Sequence, residues 1–386
     1  MSAAPEPGAV GAPAGAAAPA FAGRYRFVDL LGSGGMGSVW RVWDTREARY
    51  VAAKVLRHAR ADSLLRFVAE QSTRVRDPHV LTPLGWTADD DRVLFTMELV
   101  DGGSVADLVG DHGALPAAAV VELLDQLLEA LGAVHEAGVV HRDVTPANLL
   151  LRATGTGRPH LLLSDFGVAV RADLPRLTST GEVVGTPGYL APELLRGDDP
   201  APASDLYAAG VVAVEALTGL RPGPKDGSDD VVGRLEATAA PWPVRAVVRS
   251  LLEVDPARRP PGAGEARARL LHAAAGSEDL LRRPLRDAGG DPLEVLRQLP
   301  PLPEGWGPGG PDDSRGGTAP TATVSPPAPA PAPVALPGPT GPPPQPAARA
   351  QRSGSPLPRW YRPAVAAVAV SLAAVVAALA AAVTGG

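Results

Sequence analysis

Cysteine is absent from this 386-residue chain and lysine nearly so, Lys54 and Lys225 standing alone among 36 cationic residues. Without thiols there are no disulfides, no cysteine redox chemistry and no cysteine-ligated zinc, and this route leaves the redox compartment open. The formal charge of −6 argues against a nucleic-acid partner, because affinity for a phosphate backbone needs a basic face. The N-terminal stretch has neither a basic start nor a leucine run, so a secretory signal is not expected. Glycine and proline, by contrast, number 43 each, too many for one compact fold. They concentrate at the two ends, which read as disordered. The length accommodates a two-lobed domain of about 250 residues with extensions.

In a chain so poor in lysine, each survivor is informative. Lys54 closes Val51-Ala52-Ala53-Lys54, where a compact ammonium on a flexible stem is wanted, whereas Lys225 in Pro224-Lys225-Asp226-Gly227 reads as a solvated loop charge. The stretch that organises the rest is His141-Arg142-Asp143-Val144-Thr145-Pro146-Ala147-Asn148, followed after two apolar runs by Ser164-Asp165-Phe166-Gly167. Asn148 and Asp165 supply hard oxygen ligands suited to Mg²⁺ on a nucleotide. Asp143 is then free to orient an attacking hydroxyl.

At these residues the sequence resembles the eukaryotic-like Ser/Thr protein kinases, and its composition and C-terminal tail resemble the bacterial, actinobacterial branch of that family. The resemblance implies ATP with Mg²⁺, or alternatively Mn²⁺, and protein substrates with Ser/Thr hydroxyls. It assigns Asp143 to the acceptor hydroxyl, Asn148 and Asp165 to the metal, and Lys54, braced by Glu70, to the phosphates. The lid would be Leu31-Gly32-Ser33-Gly34-Gly35-Met36-Gly37-Ser38-Val39, whose glycines let backbone N–H groups approach phosphate closely. Such a motif is weak alone. Its strand–turn–strand setting, followed by Val-Ala-x-Lys, supplies context and disfavours a dinucleotide fold, which needs strand–turn–helix. By the same resemblance Met97 is the gatekeeper, Glu98 and Val100 offer backbone groups to adenine, and Leu31, Val39, Ala52 and Leu150 sandwich the base.

Apolar positions Val120, Val121, Leu124, Leu127, Leu128, Leu131 and Val134 follow helical spacing, with Pro116 at the start and Gly138 just past the end. The helix leads into the catalytic loop, where Arg142 would clamp a phosphorylated activation segment. Thr178 or Thr180 is the expected autophosphorylation site, for which a homodimer is an expected partner. Thr186 would shape the substrate platform, Glu193 of Ala191-Pro192-Glu193 would pair with Arg259, and Asp205 would brace the catalytic loop.

One position departs from the family pattern: Thr145 stands where Ser/Thr kinases carry a lysine that contacts the transferring phosphoryl group. Losing one such donor costs about 10²–10³ in rate. A membrane-tethered pseudokinase that binds nucleotide and acts as a scaffold is therefore the alternative reading, and a small-molecule phosphotransferase on the same fold a third.

The implied fold is α+β and two-lobed, with a small, mainly β N-lobe and a larger, mainly α C-lobe, over residues 24–273. Residues 1–23 form a disordered Ala/Pro/Gly-rich start, and 274–299 a short helical extension that includes a candidate helix over Pro292–Leu299. A Pro-rich linker occupies 300–362, with 19 prolines among the 59 residues from Pro300 to Pro358, followed by a transmembrane helix over 363–383 and a tail over 384–386. Residues 364–383 carry no charge and as a helix measure about 30 Å, the thickness of a bilayer's hydrocarbon core. Arg349, Arg352, Arg359 and Arg362, with Trp360 and Tyr361, precede it like a positive-inside flank and aromatic belt, from which a single-pass cell-membrane protein with its kinase domain in the cytoplasm is expected.

Overall fold

The structure, a computed structural model, describes residues 20–34, 37–57, 75–89, 92–165, 186–277, 280 and 284–312. Glu70, Thr178, Thr180 and the expected transmembrane segment lie outside the described residues. Among the described residues no helix is long and apolar enough to cross a membrane.

Five strands form an antiparallel sheet: β1 (Tyr25–Gly34), β2 (Gly37–Asp44), β3 (Arg49–Arg57), β4 (Pro83–Asp89) and β5 (Arg92–Met97), in the order β1-β2-β3-β5-β4. Valine and aromatic residues recur in these strands, as suits a pleated, half-buried surface. The β1–β2 turn closes on the Gly34–Gly37 pair. Gly37 has φ of 149°, and a Cβ there would strike the Val55 carbonyl of β3, so only glycine lets the lid lie this close to its neighbour strand.

The larger lobe begins at α1 (Val105–His112), whose start carries a reciprocal cap: the Asp107 amide donates to Ser104 Oγ, and the Ser104 amide donates to Asp107 Oδ2. The central helix α2 (Ala117–Glu136) starts after Pro116, and Gly138 follows its end in the left-handed region at φ 80°. Its face of Leu124, Leu127, Leu128, Leu131 and Val134 is buried in the main core. A two-stranded ladder, β6 (Leu149–Leu151) and β7 (Leu161–Leu163), packs against it. The short α3 (Pro192–Leu195) precedes α4 (Pro202–Thr218), which is apolar nearly all round and correspondingly sunk in the core. Helices α5 (Ser228–Glu236), α6 (Trp242–Leu251) and α7 (Ala263–Ala275) complete the lobe.

Beyond α7 the structure differs from the sequence expectation. Pro292–Leu299 is extended, not helical, because its order comes from distant partners: Val295 pairs with Gly155 through two backbone hydrogen bonds, and Leu293 and Val295 are buried in the C-lobe core. Residues 300–312, expected as linker, fold onto the β-sheet and end in a small hairpin, β8 (Trp306–Gly307) and β9 (Gly310–Pro311).

Candidate active site

The ladder β6–β7 pairs Leu149 with Leu163, so Asn148 and Asp165 emerge at the same end of two adjacent strands. Ser164 fastens that end, its amide and hydroxyl both donating to the Asn148 carbonyl at 2.9 Å. Asn148 Nδ2 donates at 2.8 Å to both the backbone oxygen and Oδ2 of Asp143. The Thr186 hydroxyl donates to the other carboxylate oxygen, Oδ1, at 3.0 Å. Asp143 is therefore held from both sides. A small open cleft lies beside it, lined by Arg142, Asp143, Thr145, Thr186, Tyr189 and Leu194 among others.

The loop carrying Asp143 is itself strained and braced. Arg142 lies in the left-handed region at φ 69°, as does Asp165, a conformation that residues with a Cβ rarely adopt without support. The support is Asp205 on α4, buried to 1% exposure, whose carboxylate accepts from the amides of His141 and Arg142 at 2.8 Å each. His135 Nε2 meets the same carboxylate at 2.8 Å. His141 is fully buried, and its ring contacts the Ser164 carbonyl at 2.8 Å, joining the catalytic loop to the strand that delivers Asp165.

From the sheet, Lys54 on β3 reaches Asp165 Oδ1 directly. The register of β3 sets Lys54 between Val39 and Phe95, and Ala52 opposite Met97, two residues along and hence on the same face. Leu150 stays partly exposed while its neighbours Leu149 and Leu151 are buried, as alternation in a strand requires. After Met97 the chain returns to β6: the Gly102 amide donates to the Leu151 carbonyl at 2.8 Å, and the Leu151 amide donates to the Gly103 carbonyl at 2.8 Å. Gly102 packs so tightly that a Cβ would sit 2.6 Å from the Leu151 carbonyl oxygen. The Glu98 carboxylate is tied to the Arg152 guanidinium.

Below the cleft, Arg259 meets Glu193 with two parallel hydrogen bonds of 2.6 and 2.8 Å and donates to the Ala203 and Glu253 carbonyls at 2.8 Å. Ser204 Oγ adds a bond of 2.9 Å to Glu193. Burial pushes the Glu193 carboxyl up, but the hydrogen bonds and charge of Arg259 outweigh it and hold the group below its ordinary value.

The structure thus gathers Lys54, Asp143, Asn148 and Asp165 in one region, with Arg142, Thr145 and Thr186 around Asp143. The Lys54 ammonium contacts Asp165; its expected brace, Glu70, lies outside the described residues. Thr186, expected to shape the substrate platform, bonds Asp143 itself. Two participants escaped the sequence reading: His135 joins the Asp205 brace, and Arg152 ties Glu98. Nothing in their local patterns marked them, because each acts across a tertiary contact.

A five-stranded sheet over a helical lobe, joined by the short connection from Met97 to Ser104 with a carboxylate–amide–carboxylate set beneath, defines a protein kinase fold. The chain belongs to the protein kinase family: the family model described as "Protein kinase domain" matches residues 25–266. It is similar to the serine/threonine-protein kinase PknA of Mycobacterium tuberculosis, at 36% identity over 251 residues, covering 62% of this chain and 57% of the relative. It is also similar to the serine/threonine-protein kinase PkaA of Streptomyces coelicolor, at 33% identity over 332 residues, covering 80% of this chain and 60% of the relative. The chain therefore spans less than two thirds of the length of these relatives. A crystal structure of Rad53 in complex with AMP-PNP superposes with a TM-score of 0.54 at 24% identity, covering 63% of this chain and 64% of that one. That likeness concerns the fold alone.

Proposed function

We propose that the chain is a Ser/Thr protein kinase that transfers the γ-phosphoryl group of ATP to protein hydroxyls. The observation that carries this reading is the Asp143 carboxylate, held between Asn148 and Thr186 next to an Asp165 already engaged by Lys54. In this reading Asp143 accepts the acceptor hydroxyl's proton and aims its oxygen, Lys54 holds the phosphates, and the lid from Leu31 to Val39 excludes water. The donor chemistry at Asn148 and Asp165 fits a hard divalent cation, Mg²⁺ foremost, which when bound would offset phosphate charge. Met97, Glu98, Val100, Leu31, Val39, Ala52 and Leu150 would frame the adenine.

Regulation follows the same logic. Arg142 Nε is buried with no hydrogen-bond partner among the described residues, which supports its use as a clamp for phosphorylated Thr178 or Thr180. Membrane attachment rests on the uncharged 364–383 stretch with its arginine and aromatic flank. In a cell extract the full-length chain is expected in the membrane fraction, and a chain lacking residues 364–386 in the soluble fraction. Equal solubility of both would count against the anchor.

The scaffold reading is favoured by one observation, the identity of Thr145, which is buried at the start of the turn Pro146–Asn148 where a lysine would otherwise reach the cleft. Radiolabel transfer from ATP to a generic basic protein separates the two. The native chain is expected to label the substrate and, by mass spectrometry, its own Thr178 or Thr180. A silent native chain beside an active Thr145→Lys variant would establish the scaffold instead.

A further inference from the structure

The segment following α7 crosses the whole domain. It starts on the C-lobe, where the Asp287 carboxylate sits 3.2 Å from His112 Nδ1 at the end of α1, and His112 Nε2 lies 3.2 Å from the Glu294 carbonyl. It continues beside Gly155, with Leu293 and Val295 buried. At the lobe connection the Gln298 amide donates to the Asp101 carbonyl at 2.7 Å, and the Gln298 side chain packs over Gly103. Two residues later it is already on the sheet. Arg41 of β2, 4% exposed and fixed by Asp29, donates to the carbonyls of Pro300 and Pro301 at 3.0 and 3.2 Å. The Tyr50 hydroxyl donates to the Gly307 carbonyl at 2.6 Å. Trp306, 6% exposed, is the plug at the end, clustered with Val28 and Trp43 and packed beside Tyr50 and the Arg26 guanidinium.

The two lobes are therefore joined twice: by the chain from Met97 to Ser104, and by this strap running alongside it. The bridging stretch is short and stiff. Pro300, Pro301 and Pro303 fix φ and leave few backbone donors, so the stretch presents carbonyls, which is what Arg41 takes. A buried tryptophan at one end and two buried aliphatics at the other keep both ends seated.

We propose that residues 284–312 are a positioning strap for the catalytic reaction: by tying the lobe connection at Asp101 to the sheet through Arg41 and Trp306, they set the spacing of the lobes and hence the height of the lid over the nucleotide. This rests on the kinase reading above. The strap touches no reacting atom. It acts on ATP affinity, because a nucleotide that must itself draw loosened lobes together binds more weakly than one entering a preset cleft.

The experiment lengthens the strap without disturbing either end. Insertion of Gly-Ser-Gly-Ser between Leu299 and Pro300 in the full chain keeps Gln298, Arg41 and Trp306 intact. The KM for ATP is expected to rise about fivefold or more, equivalent to ~1 kcal/mol, with kcat and the KM for protein substrate within about twofold. Trp306→Ala should act in the same direction, and Trp306→Phe should restore most of the affinity. Hydrogen exchange at residues 98–103 should accelerate in the insertion variant, a readout that needs no turnover. Unchanged ATP affinity and unchanged exchange at 98–103, in an insertion variant that folds normally, would overturn the proposal. A native chain without phosphoryl transfer would instead sink the kinase reading, and exchange at 98–103 would then decide the strap alone.

Discussion

Asp143→Asn lowers kcat by about 10²–10⁴, the range a positioned general base contributes, while ATP affinity and thermal stability stay near native. The geometry explains the separation. An asparagine at 143 still offers one oxygen to Asn148 Nδ2, and its amide can donate to a rotated Thr186 hydroxyl, so both flanking bonds survive. What is lost is an acceptor for the incoming hydroxyl's proton. An interaction made only in the transition state lowers kcat and kcat/KM together. Steady-state kinetics with varied ATP and varied protein substrate checks this. A variant retaining more than a tenth of native kcat would remove Asp143 from the chemistry.

Arg259→Leu has the largest expected effect on stability. Its guanidinium is fully buried and bonded to Glu193, Ala203 and Glu253, so the substitution leaves the Glu193 carboxylate buried without its main partner. Breaking a buried pair by removing one member costs about 3–5 kcal/mol. For a domain of this size that is a fall in Tm of roughly 6–20 °C, at about 2–4 °C per kcal/mol. Scanning calorimetry at pH 7 reads it directly. Replacing both members, Glu193→Leu with Arg259→Leu, should recover much of the loss, because no charge then remains to be solvated.

The pair also fixes a pH dependence. The Glu193 pKa in the folded protein lies below its ordinary 4.5, so the unfolded chain binds the proton more readily. Its contribution is fully present above about pH 4.5 and fades as pH falls through that value toward the folded pKa. In Arg259→Leu the hydrogen bonds and charge of Arg259 are gone, while the Ser204 hydroxyl and a backbone amide still bond the carboxylate against burial. The Glu193 pKa therefore rises relative to the native chain, and the stability lost between neutral pH and mild acid should be smaller in the variant.

Short-range motifs made much of the site legible in the sequence. The spacing from Asp143 to Asn148 fits within one loop and turn, and the two apolar runs before Asp165 are the two strands of a ladder, so local order alone predicts that they meet. The long helix over Ala117–Glu136 was legible for a similar reason, since periodicity and its flanking Pro116 and Gly138 are local signals. The strap was not legible. Trp306 sits among prolines and glycines that carry no helical or strand period, and its burial depends on Val28, Trp43 and Tyr50, more than 250 residues earlier in the chain. A proline-rich stretch reads as a spacer unless its carbonyls find a donor, and Arg41 supplies one. His135 likewise reads as an ordinary residue of the last helical turn until Asp205 is folded against it.

The most direct test of the central claim, that Lys54, Asn148 and Asp165 together hold a metal–nucleotide beside Asp143, is calorimetric titration of the full chain with a non-hydrolysable ATP analogue, with and without Mg²⁺. Saturable one-to-one binding is expected, tightened by Mg²⁺ in the native chain and in Asp143→Asn but weakened more than about tenfold, or ~1.4 kcal/mol, by Asp165→Asn. Binding indifferent to Mg²⁺ and to Asp165→Asn, or no binding at all by the native chain, would contradict it.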